Sequence, residues 1–362
     1  MRTIIYSTVL ILILILPFNT YSQTYEKPTE NHLTSSKLLG KIKSITQTET
    51  EASEMKGKLV GERLKSKYII AYNEAGNMIE YSEYGADEKL VEKKLFTYNE
   101  KGDITDLSIY DADGKLTTQQ IYKYDEKGNI LELIRYNPPT IVEEKQIFIY
   151  DDKNNRTEES VYAANNLQYK FTHKYNENSK VTEDRSLDAT GNLFALLKTT
   201  YDAKGNAISI TTYDAKNELK NAVYYIYDDK NNIIEKSSSD SKGTYTGKET
   251  YKYDKNGNLT KKSVFDAKGT VTENTLQTFN SRNKLIRYIV DNGIEDFDLN
   301  TYYAYYDSHD NETECIKSDR MKNEYLHWYN KYTYDKAGNW ISLIYSMENT
   351  PTTITKREIT YY

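Results

Sequence analysis

From Tyr72 onward, hydrophobic and polar residues alternate with a period of two in short runs, as in YKYDEKGNILELIRYN, Tyr122 to Asn137. Alternation of that kind predicts half-buried strands, and the polar clusters between the runs predict turns. The runs repeat. Tyr-Asp or Tyr-Asn turns begin at Tyr72, Tyr98, Tyr124, Tyr150, Tyr175, Tyr201, Tyr227 and Tyr253, with Phe279, Tyr306 and Tyr334 continuing the series at steps of 25 to 28 residues. A second, weaker turn opens 12 residues after the first, at Tyr84, Tyr110, Tyr136, Tyr162, Leu187, Tyr213 and Phe265. A fixed period of this length marks one supersecondary unit copied along the chain, here two strands and two turns.

The turns carry their own chemistry. Asp125 and Gly128, Asp202 and Gly205, and Asp254 and Gly257 stand three residues apart. The acid accepts hydrogen bonds from the turn backbone, and glycine takes the left-handed conformation that closes a three-residue hairpin loop with a bulge. Asn154 and Asn231 fill the glycine position elsewhere. If side chains of one parity share a face, positions 0, 6, 12, 18 and 24 of a unit, for example Tyr98, Ile104, Tyr110, Leu116 and Tyr122, line one face of a meander. The opposite face then carries Ile79, Leu131, Ile208, Ile234, Ile286 and Ile341.

Composition leaves little material for a thick aliphatic core. The chain has 36 tyrosines among 362 residues. Stacked tyrosine rings are therefore expected to supply much of the burial, with their hydroxyls wet. The segments are read as a signal peptide over 1–22, a polar linker over 23–37, an irregular capping hairpin over 38–71 and the repeat array over 72–362. The apolar run Ile4 to Leu16 is too short to span a bilayer, and no transmembrane segment is expected in the mature chain. Cleavage near Ser22 would send the protein to the periplasm, the cell surface or the medium. A formal charge of -6 with lysines interspersed among the acids argues against a nucleic-acid partner.

Chemistry is sparse. Cys315 is the sole cysteine and reads as buried filler. His32, His173, His309 and His327 match no metal or nucleophile spacing, so neither a metal nor a cofactor is expected. DADG, Asp111 to Gly114, is better explained by turn chemistry than by calcium binding. One acidic ladder stands out at position 8: Glu80, Asp106, Glu132, Glu158, Glu183, Glu235 and Glu314. The hairpin register places Asp106 opposite Phe96, Glu132 opposite Tyr122 and Glu158 opposite Phe148. A ring that covers an apolar sugar face beside a carboxylate that accepts from hydroxyls makes these six residues the candidate ligand-binding set. The blander reading is a solvated row balanced by lysines.

The motifs YDEKGN, YDAKGN and YDKNGN, recurring in phase from about residue 68 to 362, resemble the YD repeats of the RHS family. That resemblance implies a long antiparallel sheet that curls into a spiral or shell and binds extracellular ligands, often carbohydrate. The period is longer than the family's, and neither its toxin-bearing C-terminal region nor its core-associated segment is expected here. The expected fold is thus all-β: a repetitive antiparallel hairpin meander of about eleven units forming a long curved or spiral sheet. The expected function is an exported, non-enzymatic binding or scaffold protein for a polysaccharide or an envelope protein. The competing expectations are a glycan-acting enzyme using paired acids such as Asp106 and Glu132, and a purely structural envelope component.

Overall fold

The computed structural model describes residues 32–55, 58–137, 141–291, 298–320, 322–348 and 350–362, all within one compact unit, Asn31–Tyr362. The signal peptide and most of the polar linker lie outside the described residues. A short helix, α1 (His32–Ser35), precedes 24 strands among the described residues, numbered in chain order. They begin with β1 (Ile42–Met55), β2 (Lys58–Tyr72), β3 (Met78–Tyr84), β4 (Leu90–Tyr98), β5 (Ile104–Tyr110), β6 (Leu116–Tyr124) and β7 (Ile130–Asn137), and they end with β24 (Thr350–Tyr361). Each strand pairs antiparallel with the next, as an uninterrupted hairpin meander.

The meander closes on itself. β1 pairs antiparallel with β24, from Ile42 against Tyr361 to Glu51 against Thr353, while its other edge pairs with β2. The expectation of an open curved or spiral sheet is therefore corrected to a closed 24-stranded barrel. The physical reason lies in the first hairpin. Its long strands were expected to cap one edge, but they hydrogen-bond to the last strand as well as to β3, and closure removes both open edges at once.

The turns form as their composition dictates. Asp125 accepts the Asn129 amide on Oδ1 and the Asn129 side chain on Oδ2, both at 2.8 Å, and Gly128 sits at φ 89°. Asp202 with Asn206 and Asp254 with Asn258 repeat the bracket, with Gly205 and Gly257 left-handed. Asp111 likewise accepts the amides of Asp113 and Lys115, at 3.0 and 2.9 Å, as a turn should.

A bulge follows every such turn. Lys123 opposes Glu132 but Tyr124 opposes Ile130, so one residue of β7 is unmatched; Tyr110 opposes Leu116 but Ile109 opposes Thr118. Each bulge reverses the parity of the strand. The single face expected for Tyr98, Ile104, Tyr110, Leu116 and Tyr122 is thereby split. Tyr98, Ile104 and Tyr122 share one face; Tyr110 and Leu116 lie on the other.

Register also decides which face is inside. Ser82 faces Lys93, and Lys93 faces Tyr110, so crossing two strands moves the path from ten residues after one turn tyrosine to twelve after the next. Arg185, Leu196 and Tyr213 repeat the step. The slip is about one residue per strand, the ratio that accompanies a tilt of about 36° in eight-stranded barrels. At about 4.8 Å per strand, that tilt makes the barrel about 45 Å across between opposite backbones. Asp125 donates its amide to Asn129 across the turn, so Lys123, two residues before it, also aims its backbone at β7. Given the right-handed strand twist and L-chirality, Lys123 and its parity partners then point outward. Tyr122 and Phe148 point inward. Burial occurs on both faces: Tyr72, Tyr122, Phe148, Val161 and Cys315 of the inner face are buried, and so are Ser82 and Leu196 at mid-strand on the outer face, where the Lys123 side chain near the turns is 61% exposed.

Candidate functional site: the inner wall

The turn tyrosines of the inner face are structural. Tyr124 donates its hydroxyl to the Ile104 carbonyl at 2.7 Å, Tyr150 to Ile130 at 3.0 Å and Tyr201 to Val181 at 2.6 Å. Tyr98, Tyr175, Tyr227, Tyr253 and Tyr306 repeat this bond to the first strand residue of the preceding unit. Each ring thus pins one hairpin to the next, with its hydroxyl held by protein rather than by solvent.

The sequence-derived binding set does not come together. Asp106 pairs with Thr97, Glu132 with Lys123 and Glu158 with Ile149; Phe96, Tyr122 and Phe148 pair with Leu107, Leu133 and Glu159. The bulge shifts the acid ladder by one residue, so the acids face outward and the rings inward. Glu132 is held by Lys123 and by Lys145 at 2.6 Å, and these ammoniums, through their hydrogen bonds, draw its carboxyl below the usual range. Glu80 pairs with Lys93, Glu158 with Lys170, Glu183 with Lys174 and Arg185, and Glu235 with Lys248. Asp106 accepts from Ser108 and Gln119. On the inside, Phe148 lies beneath the Arg156 guanidinium, and Tyr122 donates to Gln120 at 2.7 Å.

A denser polar and aromatic constellation lies on the inner wall near the C-terminus. Glu312 accepts from the Tyr302 hydroxyl at 2.6 Å and from the Trp328 indole at 3.0 Å. Burial, followed by that bond to Glu312, pushes the Tyr302 hydroxyl pKa far up. Beside it, Tyr332 meets Trp340 edge-on at 6.2 Å, and the Arg357 guanidinium lies 3.3 Å from the centre of the Trp340 ring. Arg357 Nε donates to Gln47 Oε1 at 2.8 Å across the seam between β24 and β1. Glu312, Trp328, Trp340, Tyr302, Tyr332 and Arg357 are all incompletely buried and line the lumen. Reasoning from sequence passed over them. The available signal was departure from pattern: the inner slot six residues after the turn tyrosine is Ile104, Ile130, Val181, Ile233 and Leu259 in five units, but Glu312 and Trp340 here, with Arg156 the other polar exception.

Other candidates resolve into structure. Cys315 is buried, and burial pushes its thiol up to about 12. His173 contacts Asp184 at 2.5 Å, His327 contacts Glu314 at 2.9 Å, and His309 stacks on Tyr334. Among the described residues no group of three or more His, Cys, Asp or Glu side chains is placed to hold a metal ion, and no helix is long and apolar enough to cross a membrane.

No family model matches the chain, and no curated protein matches it. Among solved structures it is similar to a chain of the Photorhabdus luminescens Tc holotoxin pore, at 14% identity over 84% of this chain and 20% of that one, with a TM-score of 0.39. A chain of the TcdB2-TccC3-Cdc42 crystal structure is similar at 13% identity over 80% and 19%, with a TM-score of 0.31. A porin-like protein from Bacteroides uniformis is similar at 12% identity over 88% and 98%, with a TM-score of 0.23. The chain spans about a fifth of the length of the toxin chains.

Proposed function

We propose that the protein is an exported, non-enzymatic binding protein of the YD-repeat kind, whose closed barrel presents its inner wall to a polysaccharide. The observation that carries this reading is the cluster of aromatic rings beside one acid and one arginine on the inner wall near the C-terminus. On the outer wall the ladder acids are neutralised by cross-strand lysines, as in Glu132 with Lys123 and Lys145. On the inner wall Trp328, Trp340, Tyr302 and Tyr332 offer flat rings beside Glu312 and Arg357. Rings that cover apolar sugar faces, next to groups that exchange hydrogen bonds with hydroxyls, suit a saccharide. The ionic outer face also fits water rather than lipid, since a lipid-facing barrel wall needs a continuous apolar band.

The test is retention of the chain from Gln23 to Tyr362 on immobilised polysaccharides. Saturable retention by one of them, lost on Trp328→Ala with Trp340→Ala and unchanged by Glu132→Gln, supports the inner wall. Retention indifferent to the tryptophans, or none on any polysaccharide, counts against it.

A further inference from the structure

We infer that the seam of the barrel holds an oxyanion subsite centred on Arg357, which takes the carboxylate of an acidic saccharide. The inference rests on the binding role proposed for the inner wall and names the ligand class it selects.

Arg63, Arg135, Arg156, Arg185 and Arg282 each have a carboxylate within 3.4 Å. Among the described residues Arg357 forms no such ion pair. Its surroundings are aromatic and amide: Trp340 under the guanidinium, Gln47 on Nε, and Tyr72 and Tyr332 near enough to affect its charge. Burial pulls its pKa down to about 10, against the opposing influence of the two tyrosines. A desolvated guanidinium lacking a counter-charge is costly, and an arriving carboxylate relieves that cost while using the planar fork in two parallel hydrogen bonds. Stacking on Trp340 fixes the plane of the fork in advance, so little rotational freedom is left to lose on binding. Structural closure alone does not require an arginine here: the bond to Gln47 uses only Nε, and β1 and β24 are already joined along their backbones. The Tyr332 ring stands edge-on to Trp340 at 6.2 Å, beside the guanidinium.

The test compares a fluorescent oligogalacturonate with its methyl ester by anisotropy, since the ester keeps the sugar and removes the charge. The wild-type protein is expected to bind the acid at least tenfold more tightly than the ester, and Arg357→Gln to erase that preference. Equal affinity for acid and ester in wild type overturns the subsite and leaves the inner wall a neutral-sugar site. Binding of neither overturns the acidic-saccharide subsite, and retention on the other polysaccharides then decides the inner wall separately. A sulfated oligosaccharide or inorganic phosphate competing better than galacturonate overturns the assignment to carboxylate. Should Arg357→Gln fail to fold by circular dichroism, the wild-type salt dependence decides: affinity for the acid must fall with salt while affinity for the ester holds, and parallel behaviour overturns the proposal.

Discussion

The tyrosine that opens each repeat is defined less by its ring than by its hydroxyl. Tyr124, Tyr150, Tyr201 and their equivalents each donate to a backbone carbonyl of the preceding unit, at 2.6 to 3.0 Å in those three cases. Phe279 occupies the same place without a donor, and its counterpart carbonyl belongs to Leu259, twenty residues upstream. Phe279→Tyr is therefore expected to stabilise the barrel by about 1 kcal/mol, and Tyr201→Phe to destabilise it by a similar amount, read as shifts in the urea midpoint at unchanged slope. Opposite or null shifts in both variants would show that the hydroxyl row is incidental. A second expectation concerns Ser179, which holds the left-handed position (φ 56°) that Gly128, Gly205 and Gly257 hold elsewhere. Ser179→Gly relieves a crowded Cβ and should gain up to about 1 kcal/mol in the same assay. The turns were legible in the sequence because this requirement is local: an acid that brackets the loop and a residue that tolerates positive φ leave few alternatives.

At the level of strands, legibility stopped at the bulge. The alternation marked the strands and the turn chemistry implied a bulge, but the parity reversal that a bulge brings does not show in a two-residue period, so the acids at position 8 were placed beside rings they never meet. Glu132 against Lys123, rather than against Tyr122, is the outcome. The Glu312 and Trp340 cluster was visible only as a break in a slot that is mostly aliphatic and is also broken by Arg156, a signal weaker than the repeat itself. The inner wall has a further ionic node that tests strand pairing. Glu249 receives the Tyr251 hydroxyl at 2.6 Å and the ammoniums of Lys262 and Lys236 at 2.9 and 3.2 Å. Burial acts to raise its pKa, but these three partners outweigh it and bring the carboxyl down to about 2. Its folded pKa thus lies below the ordinary value of 4.5, so its contribution is present above about pH 4.5 and is lost as pH falls toward 2. Glu249→Gln should flatten the fall of the thermal midpoint across that window and leave its slope with pH unchanged above it. An unaltered acid limb would mean that the node contributes nothing.

For the molecule as a whole, the decisive event is the meeting of β1 with β24. Every other pairing joins strands adjacent in sequence, which a repeat can dictate locally; this one joins residues about 300 apart, such as Gln47 and Arg357. Nothing in a local period announces it, which is why an open sheet was the natural expectation. Its energetic logic is edge removal, because an open array of this length would present two long unpaired ladders to any other chain. Thr46 and Glu358 stand directly opposite each other in the seam. Cβ atoms of such a pair lie about 5 Å apart, whereas the first and last strands of an open, flat sheet of this size would be on the order of 100 Å apart. Thr46→Cys with Glu358→Cys should therefore form an intramolecular disulfide under mild oxidant in dilute protein, seen as a faster band on a non-reducing gel and as loss of two reactive thiols. Buried Cys315 does not compete for the partner. Because the bridge closes nearly the whole chain into one loop, it should raise unfolding stability by up to about 5 kcal/mol. Persistent free thiols in the folded monomer, or disulfide-linked dimers alone, would mean that the edges do not meet and that the barrel is open in solution.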